Sequence, residues 1–473
     1  MTIPTMPRRS LLGVLASGAM GCVVAPTALA QPSKTNSVGS LPQRGEFLIR
    51  GAYIVSMDAA IGDVPQGDIH VRNGVIIAVG PRLSAPGAKI IGGTGMIALP
   101  GFIDTHFHLW SSILRSAVES YFPLTLRVGP LYKPNDSYQS VRLGVAEAML
   151  SGVTTINDWC HNVISPAHAD AEIRALQEMG IRGRFSYGWG QDLAPEHPMD
   201  IQDVARVKQQ WSSNGGLLSL GVAMRTPVEY QRGNIPIDVL KQDWKGAKSL
   251  GLPITIHNRP GVVTVLQTNG LLGPDVLLVH PQGFSADEIK AIAEAGVKIS
   301  SSPCGENRTG NNPPRGPIQY RELSQAGVVY SLSVDEVVTN GKVDFFSVLR
   351  ELVRSNGQRT GNQKPLEPRK TLELATIDGA RALGLEDQVG SLTPGKRADI
   401  TLVRSTDANM VPLGDIPTAL VLSGEPGNVD TVIIDGRIMI QKGTFTSLDL
   451  AKILREANAS AHALRERDAQ RKG

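Results

Sequence analysis

Four segments of this 473-residue chain, FIDTHFHL, ITIHN, LLVHP and SLSVDE, each end an apolar β-like run on side chains that can bind a metal. They place His106, His108, His257, His280 and Asp335 at successive strand ends. Imidazole nitrogens with one carboxylate make a donor set suited to zinc or a similar divalent ion, and such an ion activates water. Side chains two apart on a strand share a face, so His106 and His108 can reach one metal from a single strand. A lone histidine at a strand end is more often structural than a ligand. Here four of the nine histidines fall at strand ends together with an aspartate, a pattern that points to a metal-dependent hydrolase.

Such a cluster needs a scaffold that gathers distant strand ends. Between Gly101 and about Gly384 the runs GFIDTHFH, VTTINDW, RGRFSYGW, LLSLGVAM, PITIHN, VLLVHP, VKISSSP and VVYSLSVDE read as strands. Helical patterns alternate with them, at Ser137–Met149, Ala167–Met179, Ile237–Leu250, Ala286–Ala295 and Phe345–Arg354. Eight β-then-α units predict an α/β fold, a (β/α)8 TIM-like barrel over residues 101–389. The metal-capable residues then sit at the C-terminal ends of strands one, five, six and eight, the face on which such barrels keep their sites.

The flanks have a different grammar. FLIRGAYIVSMD, GDIHVRNGVIIAVG and AKIIGGTGMIALPG precede the barrel, and SLTPGKRADITLVR and VDTVIIDGRIMIQKG follow it, all short β-like runs punctuated by turn residues. Asn73-Gly74 suits a hairpin turn that needs positive φ at both central positions. Neither flank is long enough to bury a good core alone, so residues 46–100 and 390–445 are expected to join as one small β-sandwich. Leu450, Ile453, Leu454, Ala457, Ala461 and Leu464 then recur at helical spacing and predict a C-terminal helix within 446–473, with His462 facing solvent.

Residues 1–30 have the form of an export signal: Arg8-Arg9, an apolar stretch from Leu11 to Val24, and a small-residue site ending at Ala30. The paired arginines favour the twin-arginine route and predict an exported, periplasmic or extracellular protein. Gly13, Gly18, Gly21 and Pro26 speak against a retained anchor, and Ala19-Met20-Gly21 is a poor leader for lipid attachment at Cys22. No integral membrane span is expected after processing. Residues 31–45 read as a solvated linker. Cys160 and Cys304 are too few for a disulfide framework, and the sequence leaves open whether they pair. Net charge is +3, with two of those charges in the signal, and no dense Lys/Arg run occurs, so a small-molecule substrate is expected and nucleic acid is not.

LPGFIDTHFHL at Leu99–Leu109, His257, His280, Asp335 and TPGKRADITLV at Thr393–Val403 together resemble the amidohydrolase superfamily, in the branch of cytosine deaminase-like and triazine-hydrolase-like enzymes. The resemblance spans nearly everything from residue 47 to 445. It implies that His106, His108, His257 and Asp335 bind one divalent metal, zinc or else iron or another divalent ion. His280 would stand beside the reacting centre as an orienting electrophile. Asp335 would also take the proton of water and return it to the leaving nitrogen. Dinuclear relatives use a carboxylated lysine at the end of strand four, whereas this strand, LLSLGVAMRTP, has none, so one metal is implied. Relatives are often homo-oligomers.

One departure bears on chemistry. Many deaminases of this branch carry a glutamate three residues after the strand-five histidine, where this chain has Pro260. Glu306 in SSPCGEN is the candidate replacement, against its reading as a solvated loop acid. Trp110, Trp159 and His161, with Trp189, lie on loops after strands one to three and are candidate substrate contacts, though each could equally serve packing. The loop 307–317 suits a rim or lid. These readings predict an exported amidohydrolase that cleaves a non-peptide C–N bond in an amide, cyclic amide or aminated heterocycle. The alternatives are a dehalogenating or dethioalkylating hydrolase on the same site, and a barrel that binds without catalysis.

Overall fold

The computed structural model describes residues 41–211, 215–228, 233–307, 316–360 and 366–472. The expected export signal, the lipid-attachment alternative at Cys22, the first part of the linker and most of the 307–317 loop lie outside the described residues. Among the described residues, no helix is long and apolar enough to cross a membrane.

Five strands open the described chain: β1 (Glu46–Val55), β2 (Asp63–Arg72), β3 (Val75–Pro81), β4 (Lys89–Gly92) and β5 (Met96–Pro100). Eight more follow: β6 (Phe102–Phe107), β7 (Val153–Cys160), β8 (Arg182–Tyr187), β9 (Leu218–Met224), β10 (Ile254–His257), β11 (Val276–Val279), β12 (Lys298–Ser301) and β13 (Tyr330–Leu332). These eight pair in parallel and in chain order, as the (β/α)8 reading requires. Strands such as β10 (ITIH) and β11 (VLLV) are buried along their whole length, because helices cover the outer face and side chains fill the axis. The expected helices are present as Pro134–Leu150, Pro166–Met179, Ile237–Ser249, Ala286–Glu294 and Phe345–Thr360. Ile201–Trp211 and Val262–Thr268 are helices that the apolar pattern did not announce; VVTVLQT is rich in β-branched residues, and tertiary packing overrides that preference.

The barrel closes between β6 and the chain just past β13. Phe107 bridges to Asp335 in parallel, Asp335 N–H donates to the His106 carbonyl at 3.0 Å, and His108 N–H donates to the Asp335 carbonyl at 2.7 Å. Lower in the axis, Thr105 Oγ1 lies 2.7 Å from Ser300 Oγ and 2.9 Å from Ser331 Oγ, tying β6 to β12 and β13 through buried hydroxyls.

The remaining strands are β14 (Ile400–Arg404), β15 (Val429–Ile434), β16 (Arg437–Gln441) and β17 (Thr444–Phe445). β14 runs antiparallel to β5, so both flanks merge into one nine-stranded mixed sheet. β3 also meets the segment just before β14: Ile76 N–H donates to Lys396 O, and Ala398 N–H donates to Gly74 O, both at 2.9 Å. Phe47, Ile49, Ile69, Val71, Ile400, Leu402 and Ile433 fill the core so enclosed. Asn73 and Gly74 both have positive φ, at 50° and 86°, as the hairpin turn requires.

Arg182 at the start of β8 holds the two units together. Its Nε and Nη2 donate to the Asp399 carboxylate at 2.6 and 3.0 Å, and the Asp435 N–H donates to the same carboxylate at 2.8 Å. The TPGKRADITLV motif thus supplies a dock, although it carries no reaction chemistry. Residues 41–45, expected to be part of a solvated linker, are bound instead: Leu41 packs on the main core and Arg44 Nε donates to Asp435 at 2.6 Å. The C-terminal helix runs over Leu450–Lys472, with Ile453, Ala457, Ala461 and Leu464 buried and His462 exposed.

Behind β7, Asp158 faces Glu172 of the helix Pro166–Met179, both fully buried. Burial pushes the Glu172 carboxyl up to about 7, against the opposing pull of the nearby Cys160, Ser137 and Asp158 groups; burial and the Glu172 charge raise Asp158 well above the carboxylate range. A carboxyl whose folded pKa is raised favours the folded state while protonated. That stability is full below pH 4.5 and is lost as pH climbs to about 7, at roughly 1.4 kcal/mol per pH unit per proton. Urea midpoints should therefore decline less across this window in Glu172→Gln than in the parent; parallel declines would contradict the assignment. Asp399→Ala removes the main partner of a buried guanidinium, leaving it Asp435 at 3.7 Å and the Gly216 carbonyl at 3.2 Å, and should cost about 3 kcal/mol by the same measurement; a loss below about 1 kcal/mol would remove the dock from the account.

Candidate metal centre

The centre is built on the closing seam. The ladder between β6 and β7 slips between Asp104 and Phe107, and such a slip re-aims side chains toward the axis, here at His106. His108 follows directly, and its Nδ1 donates to the Trp159 carbonyl at 2.9 Å. That bond fixes the tautomer and turns Nε2, with its lone pair, toward the cluster. His257 ends β10, and its Nε2 lies 3.2 Å from His106 Nε2. Asp335 Oδ1 is 3.3 Å from His106 Nε2 and 3.4 Å from His108 Nε2. Donor atoms of His106, His108 and His257 all lie within 4.8 Å of one another, as do those of His106, His280 and Asp335. Three imidazoles and one carboxylate at this spacing fit one divalent cation.

The electrostatics agree with that fit. Burial and the neighbouring His108 push His106 down to about 3, against the opposing pull of Asp335. Burial, reinforced by His106 and His280, holds His257 well below the usual histidine range. Burial alone would raise Asp335, but its contacts with His106 and His108 override it and hold the carboxylate well below its ordinary range. Neutral imidazoles beside an ionised carboxylate are the protonation states in which these groups can ligate. Asp335 and His280 both have positive φ, 74° and 72°, a conformation that non-glycine residues adopt at a cost and that concentrates at functional sites.

His280 stacks on His257 with ring centroids 5.3 Å apart. Its Nδ1 is 3.0 Å from Glu306 Oε1, while Ser302 N–H donates to the same oxygen at 2.8 Å and Ser301 Oγ donates to Oε2 at 2.6 Å. Glu306 is therefore buried against His280, neither a solvated loop acid nor an open replacement for the missing strand-five glutamate. Pro260 stands exposed at the rim. Arg225, just past strand four, turns away to Asp243 at 3.0 Å and His197 O at 2.6 Å, so the position near which dinuclear relatives hold a lysine offers no second-metal ligand.

Trp110, Trp159 and His161, the candidate substrate contacts, lie beside the cluster and are as buried as the ligands themselves. The Trp159 ring lies 4.1 Å from His257 and its Nε1 donates to Thr255 Oγ1 at 3.2 Å; Trp110 Nε1 donates to His161 Nδ1 at 3.1 Å. The His161 ring sits 4.4 Å from His108, and burial, with the adjacent His108 and His106, drives its pKa well down. They form an apolar, neutral backing for the cluster, with Trp189 packed 5.5 Å from Trp159. Cys160 and Cys304 are not joined in a disulfide. Two residues escaped the sequence reading. Asp104 accepts from His106 N–H at 3.2 Å and Val334 N–H at 3.3 Å, and burial raises its carboxyl well above the usual range; its place two before His106 was the available signal. Tyr121, whose ring lies 5.7 Å from His108, comes from a helix with no such signal.

The sequence model of the amidohydrolase family matches residues 97–439. The chain belongs to that family. It is thus a hydrolase of carbon–nitrogen bonds other than peptide bonds. It is 30% identical over 447 residues to a 5-methylthioadenosine/S-adenosylhomocysteine deaminase of Pelotomaculum thermopropionicum, covering 89% of this amidohydrolase and 99% of the relative. A 5'-deoxyadenosine deaminase of Methanosarcina mazei is 25% identical over 444 residues, covering 89% and 98%. Among solved structures, an adenosine deaminase from Xanthomonas campestris with bound zinc superposes with a TM-score of 0.78 at 22% identity, over 90% of this chain and 100% of that one. Atrazine chlorohydrolase TrzN from Arthrobacter aurescens, complexed with zinc, does so with a TM-score of 0.76 at 22% identity, over 88% and 100%.

If the cluster is a metal centre, zinc added to chelator-treated protein should stabilise the fold by about 2.7 kcal/mol at a hundredfold excess over Kd. The gain should saturate at one ion per chain and vanish in His257→Ala. A melting curve indifferent to zinc in the parent protein counts against the assignment.

Proposed function

We propose that this amidohydrolase removes nitrogen hydrolytically from a small molecule, an amide, cyclic amide or aminated heterocycle, with His106, His108, His257 and Asp335 holding one divalent ion, zinc or iron. The observation that carries the reading is the convergence of three imidazoles with donor atoms within 4.8 Å of one another, two of them contacted at 3.3 and 3.4 Å by one Asp335 oxygen. Bound there, a divalent cation supplies Lewis acidity and brings the pKa of water toward 7. Asp335 is the proton carrier. Its Oδ1 is engaged by His106 and His108, while Oδ2 faces Gly305, where a Cβ would come within 3.2 Å. The glycine thus keeps space beside the one oxygen left to exchange protons with a reactant. His280 orients the substrate at the same centre.

The deaminases among the relatives support an aminated heterocycle as substrate. Pro260 tempers that, because the strand-five position offers no acid to protonate a ring nitrogen, and this supports compounds whose electrophilic carbon needs no such help. Arg8-Arg9 and the apolar stretch behind them support export by the twin-arginine route, and with it an environmental or envelope substrate.

The test is metal analysis of the purified protein, then a screen of cyclic amides, N-acyl compounds and aminated heterocycles for ammonia or amine release. Turnover should fall at least about 100-fold in Asp335→Asn, which keeps the shape but not the proton acceptor. Halide or thiol release without nitrogen release would transfer the reading to the dehalogenating alternative. Undiminished turnover in Asp335→Asn would overturn it.

A further inference from the structure

Glu306 is a carboxylate beside the cluster that is not among the proposed ligands, and its surroundings assign it a task. Its side chain is 1% exposed, on a short turn that follows β12. Both oxygens face donors. Ser302 N–H can only donate, so Oε1 must act as acceptor there, and the same oxygen faces His280 Nδ1 at 3.0 Å. Ser301 Oγ occupies Oε2 at 2.6 Å. A second bond holds the same loop to the histidine's neighbourhood: Gln282 Nε2 donates to the Glu306 carbonyl at 3.1 Å. The His280 backbone is pinned too, with its N–H donated to Ser300 O at 2.9 Å and its carbonyl accepting from Asn258 Nδ2 at 3.1 Å. With the backbone fixed and Nδ1 tied to Glu306, ring rotation is the only freedom left, and the Glu306 bond removes it.

We infer that Glu306 is the positioning residue of His280: its carboxylate holds the imidazole by Nδ1–H and presents Nε2, as the acceptor nitrogen, to the space between His106 and Asp335. This deepens the hydrolytic reading and rests on it. It also separates Glu306 from a proton-shuttling role. An oxygen pair that accepts from a backbone amide, a hydroxyl and an imidazole has no proton to deliver and no open side toward a reactant. An acceptor Nε2 is suited to receive a hydrogen bond from the attacking water and so to aim its lone pair at the substrate carbon. Partners of this kind, one bond removed from the reacting atoms, typically change activity by about 10–100-fold when removed.

Glutamine separates the two roles. The amide oxygen of Glu306→Gln can take the place of Oε1, accepting from Ser302 N–H and His280 Nδ1–H, while its NH2 donates to Ser301 Oγ. Positioning survives this change and proton transfer does not. Nitrogen-15 spectra of histidine-labelled protein, metal-free and zinc-loaded, should show His280 as the Nδ1–H tautomer, the signal being identified by its loss in His280→Asn. The same tautomer should persist in Glu306→Gln and be lost in Glu306→Ala. With the compound that gives the greatest nitrogen release, Glu306→Ala should lower kcat about 10–100-fold at unchanged KM and metal content, and Glu306→Gln should restore it to within a few-fold. An Nε2–H tautomer in the parent protein, or a glutamine variant as impaired as alanine, overturns the inference. The spectra need neither substrate nor turnover, so they decide the point even if no tested compound releases nitrogen, and even if Glu306→Ala fails to fold.

Discussion

Everything at the centre depends on one backbone contact, the pairing of Asp335 with the His106–His108 segment. The two hydrogen bonds that bracket it, at 3.0 and 2.7 Å, complete the barrel at its last seam. They also set the carboxylate of Asp335 across the two imidazoles of β6. Scaffold closure and site assembly are therefore a single event. The strained backbone at Asp335, φ 74°, persists because both of its peptide groups are committed to that seam. A residue in relaxed extended conformation would continue the strand and carry its carboxylate away from the histidines.

Around this contact the protein arranges supports in layers. Burial lowers the pKa of His106 and His257, and Trp159, Trp110 and His161 pack beside the cluster. Orientation is fixed from outside, by the Trp159 carbonyl for His108 and by Glu306 for His280. The only ionised group directed into the cluster, Asp335, is stabilised by the histidines it touches. Burial thus works in one direction for the bases and is overruled for the acid, which is the charge distribution a cation would find favourable.

The part of this arrangement that follows local rules was legible in the sequence. Period-two spacing placed His106 and His108 together, and the repeated apolar runs counted out eight strands and put His257, His280 and Asp335 at their ends. Side chains beyond the strand ends were harder, because a loop residue's direction depends on tertiary contacts that no local period encodes. Trp110 and His161 read as rim residues and are interior. Glu306 read as a candidate replacement for the missing strand-five glutamate and is held by two serines and a histidine. Asp399 sat in a motif without chemistry, and its charged partner, Arg182, arrives from over two hundred residues earlier.

The merging of β5 with β14 has a consequence for how the chain acquires its structure. The first five strands are synthesised at the outset, yet the strand that pairs with β5 ends at Arg404, after the entire barrel. Until then their apolar face and the β5 edge have no permanent cover. The barrel must therefore fold while tethered to an unfinished sheet, and the late arrival of residues 395–434 both finishes that sheet and, through Asp399, secures it to Arg182. Contacts of such long sequence separation are the slow, cooperative kind. A chain cut short before β14 keeps every metal-binding residue and still loses its means of completion.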